Sequence, residues 1–260
     1  MEGTRFLPLS DVLSRAEGRI GIDVGSRSIK ACSMVDGSLS LAIADTTETL
    51  FSGLGPIPEG AEIVATGYGR GKVKGATTIP EIRAHAVGAL NSMDLETFTL
   101  LDIGGQDFKV VRIEKKGIRD FTMNDKCAAG TGRFLEKMAQ MLDMSIDELG
   151  SFEGRRKVLE STCSVFTETE LISLMMEGAT KEELASGVIY SVYERIRPYL
   201  RMYPRDHLIL TGGVAKMDGV RCTLKDQLGI EVVVPEHAQF MGALGCLYVR
   251  NVSRRPSQQV

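Results

Sequence analysis

A pattern of strand, glycine turn and strand occurs twice in this chain of 260 residues. The first copy reads IDVGSRSIK at residues 22–30, and the second reads LDIGGQDFK at residues 101–109. The copies match at an acid, a glycine and a lysine: Asp23 with Asp102, Gly25 with Gly104, and Lys30 with Lys109. Self-similarity along a chain indicates a duplicated structural unit. We therefore expect two lobes, each built around one copy.

The segments around each copy have the pattern of an antiparallel sheet. Apolar and polar residues alternate after the glycine turns, and the Asp-Gly pair at Asp36 and Gly37 is a strong hairpin signal. Each copy therefore predicts three antiparallel strands. The second half of the chain is predicted to be mainly helical, apart from strands in HLILTGGVA at 207–215 and IEVVVP at 230–235. The predicted fold class is α/β.

The glycines of both copies lead into a second strand, which distinguishes them from the common glycine-rich loops that lead into a helix. A tight hairpin of this kind leaves backbone N–H groups pointing towards whatever lies across from it. Two such hairpins facing each other would hold a polyphosphate from both sides. Either turn alone could be an ordinary hairpin, but the repeat and a third glycine turn at 210–215 favour a nucleotide site.

Two acids stand at the ends of the first strands of the two copies. A hard cation that bridges phosphates takes one or two carboxylates and keeps several waters. Asp23 and Asp102 therefore suit a magnesium ion or a positioned water, and Gln106 is a candidate for orienting the attacking water. These three residues form the predicted catalytic set.

With these motifs the sequence resembles the actin-like ATPase fold, which actin shares with acetate and sugar kinases and heat-shock chaperones. The resemblance implies two lobes with duplicated β-hairpin phosphate loops and ATP in the cleft. It makes the two copies the phosphate hairpins and the TGGVA segment the adenosine turn. The cofactor-binding residues that it implies are Gly25, Ser26, Arg27, Lys30, Gly104, Gly105, Gly212, Gly213 and Val214.

Charge and apolar segments limit the expected partners and location. The chain has 31 basic and 34 acidic residues, a formal charge of -3, so neither nucleic acid nor an anionic membrane is an expected partner. The N-terminus lacks the apolar core of a secretory signal, and no segment is apolar enough to span a bilayer. We expect a cytoplasmic protein whose five cysteines are reduced.

Two cysteines precede predicted helix starts. Cys127 stands three residues before the glycine turn of NDKCAAGTGRFLEKM at 124–138. Cys163 stands shortly before a helix whose start is predicted at Thr167, because Thr167 and Glu170 have capping-box spacing. A helix N-terminus favours the thiolate, which is the form that binds metals. The alternative for either cysteine is a small buried apolar residue.

Cys127 and Cys163 cannot by themselves fill a tetrahedral site that needs four thiolates. A twofold dimer removes the shortage, since each subunit would donate two. An iron-sulfur cluster shared between subunits is therefore our hypothesis, with zinc as the lesser alternative. The remaining cysteines lie in apolar or amphipathic segments and are interpreted as structural: Cys32, Cys222 and Cys246.

Seven motifs make the resemblance more specific. ATGYGR, EIRAHAVGA, DIGGQD, NDKCAAGTGRFLE, STCSVFTETE, TGGVA and FMGALG run in the order found in the activator ATPases of 2-hydroxyacyl-CoA dehydratases, a family that includes the ATPase subunits of benzoyl-CoA reductase. The resemblance covers residues 19–249 and implies a homodimer with one [4Fe-4S] cluster, held by Cys127 and Cys163. Arg27 departs from the family, whose first loop usually carries a small hydroxyl residue there.

That resemblance implies an ATP-driven electron transfer. An electron from a ferredoxin- or flavodoxin-like donor passes to a client dehydratase or reductase, and the helix beginning at Gly130 or Thr131 couples nucleotide state to the cluster. Three alternatives stay open. They are a small-molecule kinase of the same fold, a nucleotide or metal sensor without turnover, and an electron donor to a different metalloenzyme.

The predicted organisation has four parts. They are an N-terminal leader at 1–18, lobe I at 19–98 with the C-terminal helix 239–250, lobe II at 99–238, and a flexible tail at 251–260. Lobe II carries the second phosphate loop, the predicted cluster ligands and the adenosine turn.

Overall fold

A computed structural model describes residues 4–124, 128–153, 159, 163–204 and 206–250. The strands within them are β1 (Arg5–Phe6), β2 (Glu17–Val24), β3 (Ser28–Val35), β4 (Ser38–Asp45), β5 (Glu62–Thr66), β6 (Thr77–Thr78), β7 (Phe98–Ile103), β8 (Phe108–Glu114), β9 (Gly117–Asn124), β10 (Leu208–Thr211) and β11 (Val232–Val233). The helices are α1 (Leu9–Ser14), α2 (Thr46–Ser52), α3 (Glu81–Ser92), α4 (Gly132–Met141), α5 (Ile146–Ser151), α6 (Ser164–Met176), α7 (Lys181–Leu200), α8 (Asp218–Leu228) and α9 (Met241–Tyr248).

The chain divides into two compact units. The first consists of Met1–Asp94 and Phe240–Val260, and the second consists of Leu95–Gln239. The limits given above for the leader, the two lobes and the tail remain predictions. No helix among the described residues combines the length and the apolar character needed to cross a bilayer.

The first unit contains a six-stranded sheet in the order β1-β4-β3-β2-β5-β6. Strands β2, β3 and β4 are antiparallel as predicted, and β5 is parallel to β2. The segment before Arg19 contributes to this unit, because β1 pairs with β4 and Val12 and Leu13 of α1 are fully buried.

Helices α3 and α9 of the first unit cross at very short range. A Cβ atom on Gly88 of α3 would overlap the backbone of Met241, and a Cβ atom on Gly245 of α9 would overlap the carbonyl oxygen of Ala84. Only residues without a side chain allow backbones to approach this closely. The FMGALG motif therefore supplies the glycines that this crossing needs.

The second unit contains a five-stranded sheet in the order β11-β10-β7-β8-β9. One face of its central strands packs against α4 and α7, whereas the start of β9 is exposed. The apolar contacts include the edge-on packing of Phe108 in β8 against Tyr199 in α7, with ring centroids 4.9 Å apart. This core fixes the second hairpin and the helices that follow it within one unit.

The two sheets repeat the same register around the two predicted acids. Asp23 lies opposite Lys30 of β3 and Thr66 of β5. Asp102 lies opposite Lys109 of β8 and Thr211 of β10. The predicted repeat is confirmed for both hairpins. It also extends to a third strand that ends in Thr-Gly in each unit, a correspondence that lies outside the two repeated motifs.

The variant Gly245→Ala tests the helix crossing of the first unit. It is expected to lower the free energy of unfolding by about 1–3 kcal/mol or more, because the added methyl group forces α3 and α9 apart. Denaturant unfolding measures the change. Gly71→Ala is the control, since a Cβ atom there meets no other heavy atom within 4 Å. Equal loss in both variants would contradict the explanation.

Candidate functional site

In the first unit, the side chain of Asp23 is only 4% exposed at the end of β2. Gly67, which follows β5, has a positive φ of 88°, and a Cβ atom there would lie 2.5 Å from Oδ1 of Asp23 and 2.5 Å from the carbonyl oxygen of Val24. On the hairpin itself, Nζ of Lys30 donates to the carbonyl oxygen of Ser28 at 3.3 Å. A glycine turn therefore contacts the first acid, and a lysine lies opposite that acid in the hairpin.

Helix α2 anchors the turn of the first hairpin. Oγ1 of Thr46 donates to the carbonyl oxygen of Gly25 at 2.8 Å. The backbone N–H of Thr46 donates to the carbonyl oxygen of Arg27 at 3.3 Å. The guanidinium of Arg27 forms an ion pair with Asp45, the N-cap residue of α2. The N–H of Glu48 is the main cause that lowers the pKa of the Asp45 carboxyl, and Arg27 adds to it.

Arg27 and Ser26 were both predicted to contact phosphate in the first hairpin. The side chain of Ser26 is half-buried, and the side chain of Arg27 is exposed and directed to Asp45. The ion pair gives the family-atypical Arg27 a local structural partner. Its contact with phosphate remains a prediction.

In the second unit, Asp102 is 2% exposed and is held by polar partners from two strands. Oγ1 of Thr211 in β10 donates to Oδ1 of Asp102 at 2.9 Å. Nζ of Lys109 in β8 lies 3.7 Å from Oδ2 of Asp102 and 2.9 Å from Oδ2 of Asp107. Because a buried charge is costly unless it is paired, the lysine and the acids stabilise one another.

The turn of the second hairpin is closed by a backbone hydrogen bond from Gly104 to Asp107 at 2.9 Å. Gln106 is exposed at this turn, and Gly105 is half-buried. The side chain of Gln106 is therefore open to solvent at the turn. Its role in orienting water remains a prediction.

The predicted adenosine turn lies against the second hairpin. Gly212 has a positive φ of 88°, and a Cβ atom there would overlap the carbonyl oxygen of Ile103. The 3-10 turn Gly213–Lys216 follows, with Val214 buried. A Cβ atom on Gly132, at the start of α4, would lie 3.8 Å from Cγ2 of Val214. The second hairpin, this turn and α4 therefore meet within one unit.

Helix α4 begins on the carbonyl groups of the second hairpin. The N–H groups of Gly132 and Arg133, in the first turn of α4, donate to the carbonyl oxygens of Gly104 and Gly105, each at 2.9 Å. Oγ1 of Thr131 donates to the same oxygen of Gly105 at 3.0 Å. These N–H groups are normally left open at a helix start. Here they tie the helix to the hairpin.

The position of Cys127 lies outside the described residues. The sequence pattern predicts open N–H groups at the start of α4, which would favour a thiolate there. Two of those groups are instead bonded to Gly104 and Gly105. These bonds attach α4 to the second hairpin, as a helix that couples the nucleotide state to the cysteine would require, and the role of Cys127 remains a prediction.

Cys163 is the N-cap residue of α6, and its side chain is half-buried. The predicted helix start at Thr167 was wrong, because α6 begins at Ser164. Thr167 is fully buried, and both its backbone N–H and its Oγ1 donate to the carbonyl oxygen of Cys163 at 2.9 Å. The hydroxyl of Thr167 therefore bonds to the backbone four residues earlier and does not cap the helix.

The other three cysteines have the environment of structural thiols. Burial raises the pKa of the Cys32 and Cys246 thiols strongly, and repulsion by Asp23 adds to the effect at Cys246. Burial is also the main cause that raises the pKa of Cys222. All three thiols therefore stay protonated at neutral pH. Among the described residues, no three His, Cys, Asp or Glu side chains are placed to hold one metal ion.

Two further residues lie beside the first acid, Gly242 and His85, and the sequence motifs did not predict that they approach it. A Cβ atom on Gly242 of α9 would lie 2.7 Å from Oδ2 of Asp23 and 2.9 Å from Nε2 of His85. His85 of α3 is 5% exposed, and its Nε2 lies 3.9 Å from Oε1 of Glu81. The glycines of FMGALG indicate a close approach between backbones, but the motif does not show that Gly242 lies beside Asp23.

Two units that repeat a hairpin with a buried acid, followed by a strand ending in Thr-Gly, define the actin-like ATPase fold that the sequence predicted. The description "BadF/BadG/BcrA/BcrD ATPase family" belongs to a family model that matches residues 20–248. The chain therefore belongs to this ATPase family.

Individual relatives agree with this family. The chain is 37% identical over 245 residues to the (R)-2-hydroxyglutaryl-CoA dehydratase activating ATPase of Acidaminococcus fermentans. This match covers 87% of the chain and 94% of the relative. It is 37% identical to the activator of lactoyl-CoA dehydratase of Anaerotignum propionicum, over 91% of this chain and 98% of the relative.

A solved structure is similar over the same length. The activator of the 2-hydroxyisocaproyl-CoA dehydratase from Clostridium difficile, with bound ADPNP, superposes with a TM-score of 0.78 at 32% identity. The match covers 91% of this chain and 100% of that structure.

The variant Thr211→Val tests how Asp102 is held. It removes the hydroxyl donor of a buried carboxylate and is expected to cost about 1–3 kcal/mol of folding free energy. Urea unfolding measures the loss. Thr211→Ser keeps the hydroxyl and should retain most of the stability. If the two variants were equally stable, the hydrogen bond would not be what holds this acid.

Proposed function

We propose that this chain is an ATP-hydrolysing activator, which passes a low-potential electron to a client dehydratase or reductase of the 2-hydroxyacyl-CoA dehydratase type. The names of the relatives support the activator role, and the ADPNP bound to the Clostridium difficile activator supports nucleotide binding. The observation that carries the proposal is the attachment of α4 to the second hairpin through Gly104 and Gly105.

The two hairpins are proposed to bind the phosphates of MgATP. Asp23 and Asp102 would hold Mg²⁺ or a water of its shell, since a hard cation on phosphates prefers a few carboxylate oxygens and water. Lys30 and Lys109 supply positive charge, and Gly25 and Gly105 supply N–H groups, whereas Gly104 shapes the turn because its own N–H is bonded to Asp107. The adenosine turn at 212–214 takes the base and ribose, and Gln106 orients the attacking water.

A [4Fe-4S] cluster shared by a homodimer is proposed to bind at the two cysteine segments. Cys163 presents a half-buried thiol at the N-cap of α6, and Val165 and Phe166 in the first turn of that helix are 62% and 66% exposed. An exposed apolar surface next to a thiol supports a subunit contact at this point. Cys127 and Cys163 of each subunit would complete the four thiolates that such a cluster requires. When bound, the cluster carries one electron from a ferredoxin- or flavodoxin-like donor.

The chain's own contribution is to link the state of the nucleotide to the cysteine segments. When ATP binding or hydrolysis changes the conformation of the second hairpin, the carbonyl groups of Gly104 and Gly105 change position. Because Gly132 and Arg133 are bonded to those carbonyls, the start of α4 follows. Packed elements with two discrete arrangements transmit such changes over long distances.

Anaerobic purification tests the cluster. The reduced protein is expected to contain about four iron atoms and four sulfides per dimer, with an EPR signal that changes when ATP is added. Cys163→Ser should lose the iron, because it removes a thiolate ligand. Cys222→Ser should keep it, since that thiol is a structural one. An iron-free protein that phosphorylates a small molecule would instead support the kinase alternative.

The variant Asp102→Asn tests the catalytic role of the second acid. ATP turnover is expected to fall by about 10²-fold or more while nucleotide binding persists, because the carboxylate acts on the reacting water or its metal ion. Phosphate release and equilibrium binding of AMPPNP measure the two effects. Asp226→Asn, at an exposed position of α8, is the control. Unchanged turnover in Asp102→Asn would contradict the assignment.

A further inference from the structure

Arg195 of α7 contacts both segments that adjoin the proposed cluster ligands. Its side chain is half-buried within the second unit. Nη1 donates to the carbonyl oxygen of Ser191, one turn earlier in α7, at 3.0 Å. This bond orients the guanidinium against α7 and leaves Nη2 directed to another helix.

The first contact of Arg195 is with the start of α4. Gly130, in the turn between Cys127 and α4, has a positive φ of 82°, and a Cβ atom there would lie 3.2 Å from Cδ of Arg195. The guanidinium carbon lies 4.6 Å from the ring centroid of Phe134, in the first turns of α4. Stacking on an aromatic ring is a geometry that a guanidinium favours.

The second contact of Arg195 is with the start of α6. Nη2 donates to Oγ1 of Thr167 at 3.2 Å. The same hydroxyl donates to the carbonyl oxygen of Cys163 at 2.9 Å. A continuous path of contacts thus runs from the Gly130 turn through one guanidinium to the backbone of Cys163.

We propose that Arg195 is a positioning residue that makes the two cysteine segments respond to nucleotide together. The second hairpin holds α4, and Arg195 carries a movement at the start of α4 to Thr167 and so to Cys163. The link to a cluster rests on the proposed function, whereas the mechanical link can be tested on the cysteine itself. The planar fork of arginine can stack on Phe134 while it donates to Thr167, which a lysine cannot do.

A second link between α4 and α6 provides a matched control. Lys137 of α4 forms an ion pair with Glu168 of α6, and the Lys137 side chain is 54% exposed. Exposed ion pairs contribute little to stability or coupling. Lys137→Met therefore breaks an α4 to α6 contact without touching Arg195.

The first test measures alkylation of Cys163 in the full-length chain purified without iron, with and without Mg-AMPPNP. Mass spectrometry of the modified peptide distinguishes Cys163 from the other cysteines. In the wild-type chain, nucleotide is expected to change the alkylation rate by roughly 2- to 30-fold. In Arg195→Met the rate should no longer depend on nucleotide, while AMPPNP affinity stays unchanged.

Two further variants separate positioning from general packing. Arg195→Lys keeps the charge but not the fork, so it should still fold and bind AMPPNP and yet lose most of the nucleotide effect. Thr167→Val should lose the effect too, and combining it with Arg195→Met should add nothing, because residues on one path are not additive. Lys137→Met should behave as the wild type.

Several results would overturn the proposal. They are a wild-type alkylation rate that does not depend on nucleotide, an Arg195→Met chain that keeps the nucleotide effect, and an equal loss in Lys137→Met.

In the iron-loaded dimer, Arg195→Lys should also abolish the change of the EPR signal on adding ATP. If the wild-type chain binds no iron but its Cys163 alkylation follows the expected pattern, the cluster is wrong and the role of Arg195 stands.

Discussion

Burial of a carboxylate at the end of a central strand is the constraint that organises each unit of this protein. Such a group is costly unless donors surround it. Both units share one register, in which a lysine lies across the hairpin and a threonine lies on the parallel third strand. In the second unit Thr211 and Lys109 reach Asp102 directly, whereas in the first unit Thr66 donates to the carbonyl oxygen of Ile79 and Lys30 donates to that of Ser28. The residue after that threonine is a glycine, Gly67 or Gly212, whose backbone touches the end of the acid's strand. The buried acids thereby determine the turns around them.

The second unit extends this plan from the acid to the cysteines. Its hairpin carbonyls take the first N–H groups of α4, and Arg195 then joins α4 to the N-cap of α6. Each step is a short polar or packing contact between elements that share one core. Local contacts of this kind allow a change at a phosphate loop to reach a thiol without a large rearrangement of the sheet.

Local patterns predicted much of the fold. Alternation and glycine turns identified both hairpins, because side-chain period and turn chemistry act over a few residues. The same reasoning failed at α6, where the spacing of Thr167 and Glu170 suggested a cap. The helix begins earlier, at Ser164, because Thr167 is buried and its hydroxyl bonds to Cys163 instead. Burial decided between two local hydrogen bonds that the sequence pattern permits equally.

The sequence by itself determined the duplicated hairpins, their acids and lysines, and the two cysteine motifs, because each is a short pattern with its own chemistry. Only the tertiary structure decided which partners these groups have. Gly104 meets Gly132, Thr211 meets Asp102, and Arg195 meets both Gly130 and Thr167. These residues come together through the packing of whole strands and helices, and no local pattern specifies which carbonyl or hydroxyl will face which donor.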